Sequence, residues 1–189
     1  TARDMYAIAV KWTEFVGRIH DNYPHLLAEM FGYSFAAAHL NLPHRVMQSG
    51  MVSDPTSPGE GWKLVDDFPL EKICTNPEQD RMPHVLHYCH RYMIGKWFIG
   101  KYRLRKDFIT CESPLLMEPP SNVVEKHYAI APGGDRIDYK NAKHAKRNAF
   151  VVCQLIPALN NAAKYFKKHN CPNGANLDYT YIFHDTIEE

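Results

Sequence analysis

The chain has 189 residues, 45% apolar and 23% charged, with a formal net charge of +1. That length and balance give a folded domain with a sizeable core and argue against disorder. Near-neutrality supplies no overall field for nucleic acid or an acidic membrane, and no apolar run is long enough to cross a bilayer.

The sequence opens at Thr1 with no signal peptide, so it is expected to be a piece of a longer protein whose anchor or signal lies upstream. The five cysteines are Cys74, Cys89, Cys111, Cys153 and Cys171. None forms a C-x-x-C pair, which argues against a zinc ribbon or a thioredoxin motif. Their wide spread suits a secreted domain with one or two disulfides. The odd count leaves one thiol free or paired elsewhere, and buried reduced cysteines are the alternative.

Met5 to Ile19 reads as an amphipathic helix: Met5, Ile8, Ala9, Trp12, Phe15, Val16 and Ile19 recur at helical spacing, with Asp4 as a cap. Pro24 opens a second helix in its first turn. That helix runs to about Leu40, with Leu27, Met30, Phe31, Ser34, Phe35 and Ala38 as its stripe. Gly32, Ser34 and Ala36 to Ala38 are small enough for close approach of another element. A short strand is expected around Arg45 to Met47.

Residues 49–83 read as a long loop, dense in turn formers from Ser53 to Gly61. Trp62 within it is either a core anchor or a platform for a ligand ring. Val85-Leu86-His87-Tyr88 reads as a short buried strand. After it, Tyr92 to Tyr102 forms either a second strand or an irregular segment behind a turn at Gly95. Cys111 to Asn122 is an extended crossing, and Pro132-Gly133-Gly134-Asp135 a turn. The last long helix begins near Tyr139, capped by Asp138. Its stripe is Ala142, Ala145, Ala149, Val152, Ile156, Leu159, Ala163 and Phe166, with a kink expected at Pro157. Tyr179 to Phe183 is a strand or a frayed end.

Candidate chemistry is sparse. His84, His87 and His90 are three apart, which on a strand sends them to opposite faces, so a three-histidine zinc site is not expected. His87 ends a strand, a usual place for a ligand-facing group in an α/β domain; a core histidine bonded to a backbone carbonyl is the alternative. Glu29 lies beside the stripe of the second helix, either a partly buried base or sugar contact or simply a solvated carboxylate. Lys101-Tyr102-Arg103-Leu104-Arg105-Lys106 alternates basic and apolar residues, as an edge strand does, or as a segment facing phosphates does. Lys101 is the candidate diphosphate contact. The phosphate-binding glycine loops, the G-x-S-x-G elbow and a D-x-D pair are all absent from the sequence.

Taken in order, several segments resemble one family. Glu29-Met30-Phe31-Gly32-Tyr33 ahead of a small-residue helix is similar to the Glu-Met-Tyr-(Ala/Gly)-Tyr helix of the hydroxyproline O-arabinosyltransferases and peptidyl serine α-galactosyltransferases of plants and algae. Val85-Leu86-His87-Tyr88 resembles their apolar-apolar-His-Tyr strand. Ile94-Gly95-Lys96-Trp97-Phe98-Ile99-Gly100-Lys101 resembles their Gly-Glu-Trp-x-Phe-x-Lys segment. Order and spacing agree from Trp12 to Lys101, and Gly59-Glu60-Gly61-Trp62 and Cys111 to Leu116 point to algal or stramenopile members. Lys96 stands where the family has glutamate, and Phe31 where it has tyrosine.

The resemblance implies an α/β fold: the C-terminal portion of a GT-A-like glycosyltransferase domain, helix-rich with a short mixed sheet. Residues 1–189 would form a single or partial domain on the acceptor side. It implies transfer of galactose or arabinofuranose from a UDP-sugar to hydroxyproline or serine of a cell-wall glycoprotein. The setting would be the Golgi or endoplasmic reticulum lumen, the full-length protein being membrane-anchored or secretory, with a divalent cation, Mn²⁺, at the diphosphate. The donor-binding half and its D-x-D pair would lie upstream of Thr1, leaving this piece inactive alone. By the same implication His87 would ligate the metal and Glu29 would act at the acceptor or sugar hydroxyls. Trp62 and Trp97 would offer faces to a sugar, Lys101 would meet the diphosphate, and the small-residue helix and the histidine-tipped strand would wall one cleft. Two other readings stand beside it: a non-catalytic module whose loop and Trp62 bind a glycan or Pro-rich peptide, and a metal-dependent hydrolase built on the histidines.

Overall fold

Two helices open the chain, α1 (Ala2–Asn22) and α2 (Ala28–His39). The structure, a computed structural model, describes residues 1–45, 47, 50–75, 82–131 and 133–182. It divides into two compact units, Thr1–Met47 and Gln48–Glu189, of mixed helix and short sheets.

In the first unit α1 and α2 form a helical hairpin. Thr1 caps α1, its hydroxyl accepting from the Asp4 backbone N–H at 3.3 Å, so Asp4 is the third helical residue and the reciprocal partner of the cap. Pro24 stands ahead of α2 rather than in its first turn. The face of α2 that packs is the small one: Ala28, Gly32 and Ala36, four apart, are buried together with Ala37. A Cβ on Gly32 would lie 3.0 Å from Cδ1 of Trp12, so glycine here is what lets the indole seat against the helix. Trp12 and Tyr33 then meet edge to face at 5.7 Å. The larger stripe, Leu27, Met30, Phe31 and Phe35, is exposed. Of the strand expected at Arg45 to Met47, Val46 lies outside the described residues.

The second unit is built on α4 (Ala142–Asn170), a helix that continues through Pro157. It starts three residues later than the sequence suggests. Asn141 caps it, its side chain accepting from Lys143 N–H at 2.9 Å, while Asp138 ends a strand and pairs with Arg136. Against α4 packs the hairpin of β3 (Arg91–Ile94) and β4 (Trp97–Gly100), in register Arg91 with Gly100 and Ile94 with Trp97. Gly95 makes the turn with φ +54°, a conformation that side chains resist. Of the two readings for Tyr92 to Tyr102, the second strand holds as far as Gly100. Three further pairs are short: β1 (Met51–Val52) parallel to β2 (Val85–Leu86), β5 (Leu115–Leu116) parallel to β8 (Tyr179–Thr180), and β6 (Tyr128–Ile130) antiparallel to β7 (Arg136–Asp138). A bridge from Gly95 to Ala129 joins the β3–β4 turn to β6.

The stretch read as one loop carries β1, then α3 (Trp62–Asp66) and a 3₁₀ turn at Leu70–Lys72; 76–81 lie outside the described residues. The turn beginning at Pro132 and the segment ending at Phe183 likewise include residues outside them. β2 is two residues long, with Val85 51% exposed and Leu86 partly buried against the core, so the buried strand expected there is buried on one side only. Lys101 to Lys106 is not an edge strand. The ladder partner of β4 begins at Arg91, opposite Gly100, so beyond Gly100 nothing remains to pair with, and the chain turns into a 3₁₀ helix at Lys101–Arg103.

Trp62, Val65, Tyr92, Ile94, Ile99, Val123 and the α4 residues Ala149, Val152 and Ile156 make the core. Disulfides Cys74–Cys153 and Cys111–Cys171 tie flanking segments to α4, and Cys89 is a free, exposed thiol.

Candidate functional site

Within the second unit an open cleft of about 550 Å³ lies where three segments meet. The loop after β1 supplies Pro55 and Thr56. The turn into β3 supplies Cys89, His90 and Arg91, and the exit from β4 supplies Lys101, Tyr102 and Arg103. Tyr139 and Asn148 close the α4 side. The β3–β4 register brings Arg91, ten residues upstream, beside Lys101. Three permanent cations therefore line one hollow, with an imidazole and no carboxylate among the lining residues.

Each wall is held from behind. Arg147, the residue before Asn148 on α4, is buried and engages Asp66 through Nε at 2.9 Å and Nη2 at 2.8 Å. Its Nη1 donates to the carbonyls of Pro55 at 2.9 Å and Ser57 at 3.1 Å. Burial on its own would raise the Asp66 carboxyl; hydrogen bonds and charge from Arg147, with help from Lys143 and Lys146, outweigh it and hold the group below the usual carboxylate range. Asn148 accepts from Met93 N–H at 3.1 Å and Tyr139 donates its hydroxyl to Met93 O at 2.6 Å, which fixes the strand wall. Burial pushes the Tyr139 phenol up to about 12, so it is a donor and not a base at neutral pH. Tyr92, fully buried, donates to Ser53 O at 2.7 Å and lies 3.2 Å from His87 O, and burial drives its phenol well up. The Glu60 carboxylate takes both the N–H and the hydroxyl of Ser53, fixing the start of the loop wall. Asp54 is held low, first by the Thr56 backbone N–H and then by the Thr56 hydroxyl, His90 and His144.

The sequence candidates fall in different places. Lys101 lines the cleft. His87 follows β2 with its ring exposed; its backbone N–H donates to Val52 O at 2.9 Å, and neither it nor Trp97 is a lining residue of the cleft. Trp97 is half-buried against the core, 5.8 Å from the Tyr181 ring, and its indole N–H is buried with no acceptor among the described residues. Trp62 is 1% exposed, donates to Asp54 O at 2.7 Å and carries the Arg147 guanidinium 5.3 Å from its ring. With no free face it is the core anchor, and the ligand-platform alternative is corrected accordingly. Glu29 belongs to the helical hairpin, in the first turn of α2, exposed at a hollow it shares with His20 and Pro24; of its two readings, the solvated carboxylate is the one its exposure matches. His84, His87 and His90 are all exposed, and no group of three His, Cys, Asp or Glu side chains converges among the described residues.

Sequence reading singled out Lys101, a lining residue of the cleft, through its basic neighbours. It missed Arg91, whose place depends on strand register, and Tyr139 and Asn148, whose side chains serve the backbone. Chemically the cleft concentrates positive charge, with the His90 imidazole among its lining residues. It suits holding a multiply charged anion. Comparison with family models, curated proteins and solved structures finds no match.

Proposed function

We propose that the chain is part of a glycosyltransferase that uses a nucleotide sugar, with the donor's diphosphate held in the cleft by Arg91, Lys101 and Arg103. The observation that carries this reading is the carboxylate-free gathering of those three cations in one hollow of small-ligand size. When the sugar leaves, the bonding electron pair stays on the terminal phosphate oxygen and adds a third negative charge to a diphosphate that already carries two, and fixed cations around it stabilise that state more than the ground state. The sequence resemblance adds the rest: galactose or arabinofuranose as the sugar, and serine or hydroxyproline of a glycoprotein as the acceptor. It also adds the C-terminal portion of a GT-A-like domain, here contributing diphosphate contacts to a donor site completed by the upstream half, and a Golgi or endoplasmic reticulum lumen as the setting. Two disulfides and one free thiol are compatible with that setting. The glycan- or peptide-binding module built on the 49–83 loop loses its platform, since Trp62 is committed to the core.

No step here runs through a divalent cation. His87 is exposed, and among the described residues it belongs to no group of three His, Cys, Asp or Glu side chains that could hold a metal ion, so these residues alone do not fit a metal site. Glu29 enters this proposal as a contact to acceptor or sugar hydroxyls.

The test is isothermal titration of the whole chain with inorganic pyrophosphate. Binding is expected at low salt, weakening steeply as ionic strength rises, and falling about tenfold in Lys101→Ala and in Arg103→Ala. Absence of pyrophosphate binding at low salt, or binding by both variants as tight as by the wild type, would sink the reading. A donor screen with UDP-galactose and UDP-arabinofuranose against a hydroxyproline-rich peptide then tests the transfer itself in the full-length enzyme.

A further inference from the structure

Tyr102 stands at the lip of the cleft with 86% of its surface exposed. It sits between Lys101 and Arg103 on the same 3₁₀ turn, and all three line the hollow. The turn follows directly on β4, whose Phe98, Ile99 and Gly100 are buried, so a core strand sets the position of the ring. Lys101 Nζ lies 5.7 Å from the ring centroid, within cation–π range, which draws the cation to the face of the phenol.

A single exposed tyrosine is ordinary. A ring bracketed by two cations of an anion cleft is a narrower arrangement, because it recognises charge and a flat apolar face at once. The other aromatic groups nearby are already committed. Tyr139 is half-buried and spends its hydroxyl on Met93 O, Trp62 is enclosed, and Trp97 packs against the core. Tyr102, with Lys101 toward one face, keeps its other face open, and of the tyrosine and tryptophan rings named here it is the exposed one at the cleft.

We infer that Tyr102 is the stacking platform for the base of a nucleoside diphosphate whose phosphates are held by Arg91, Lys101 and Arg103. The inference rests on the anion-binding reading of the cleft and adds the part of the ligand that carries no charge. Every nucleobase has a π face, so stacking gives affinity without choosing among bases. The phosphates fix position and the ring adds residence. A loss of about tenfold on removing the ring is the scale such contacts show.

The experiment compares UDP, pyrophosphate and uridine on the whole chain by titration calorimetry, for the wild type, Tyr102→Ala and Tyr102→Phe. UDP is expected to bind about tenfold tighter than pyrophosphate to the wild type. Tyr102→Ala should bring UDP down to the pyrophosphate level while leaving pyrophosphate unchanged, and Tyr102→Phe should restore the difference. Because the side chain is almost wholly in solvent, both variants are expected to keep the wild-type circular dichroism spectrum. If pyrophosphate binds but Tyr102→Ala leaves the UDP-to-pyrophosphate ratio untouched, the platform is refuted and the cleft reading survives. If neither UDP nor pyrophosphate binds the wild type, the cleft reading fails and takes the platform with it.

Discussion

Replacing Arg147 by methionine keeps an unbranched apolar side chain and removes the guanidinium that lies over Trp62 and ties α4 to Asp66, Pro55 and Ser57. The two side chains of the ion pair are 10% and 12% exposed, so Asp66 would be left as a nearly buried, unpartnered carboxylate. Breaking such a pair costs about 3–5 kcal/mol. Lys143, 3.9 Å from the same carboxylate, offsets part of that, which places the expected loss near the lower end, about 3 kcal/mol. At roughly 3 °C per kcal/mol this is a fall in Tm of about 10 °C at pH 7. The pH dependence carries the sign of the effect. In the wild type the Asp66 carboxyl is depressed, so its contribution is complete above the unfolded value near ~3.9 and fades as pH falls through the folded value. In the variant burial is opposed only by the charges of Lys143 and Lys146, so the carboxyl rises from its wild-type position and acid relieves the penalty by protonating it. The gap between the two proteins should therefore shrink to about 1–2 kcal/mol at pH 3, the remainder being the lost bonds to two carbonyls. Urea unfolding followed by circular dichroism at pH 7 and pH 3 measures both gaps. A variant as stable as the wild type at pH 7, or a gap equally large at both pH values, refutes the assignment of Arg147 as the clamp of the cleft's loop wall.

Two further outcomes are expected. Asn160→Leu strands the Leu116 N–H and C=O, which the buried amide now bonds at 2.9 and 2.8 Å, and should cost about 2–4 kcal/mol. Hydrogen exchange at the Leu116 amide should accelerate with it, and unchanged protection would show that β5 does not depend on that side chain. Native thiol labelling should find one reactive cysteine, Cys89, and full reduction should lower the Tm. Each bridge spans 60 or more residues, worth about 4 kcal/mol in the chain-entropy account. Labelling of three or more thiols without reductant would contradict the pairing.

How far the residues announced the fold depends on which force places each one. On α4 the apolar positions Ala145, Ala149, Val152, Ile156 and Ala163 are buried at the spacing the periodicity predicts. Further along, the face also takes Asn160 and Lys167, where hydropathy points to Leu159 and Phe166. Asn160 is buried because its amide imitates a strand edge for Leu116. Lys167 is buried because its ammonium donates to the carbonyls of Ser113 and Asn176. A hydrophobic pattern cannot see a polar group whose partners lie tens of residues away. α2 shows the converse. Its large apolar residues announce a packed stripe, yet the hairpin buries the glycine and alanine face, since only small side chains admit Trp12 at van der Waals distance.

The candidate site divides the same way. Sequence alone determined a mixed helical and sheet fold, the long final helix, a turn at Gly95, and the contiguous basic run that includes Lys101. Those features rest on local periodicity, on a backbone conformation glycine tolerates best, and on contiguous charge. The tertiary structure decided that Arg91 joins Lys101, that Trp62 is an anchor, that Lys101–Arg103 turns instead of extending, and which cysteines pair. Each of those depends on strand register or on contacts between distant segments, and local sequence carries no record of the partner.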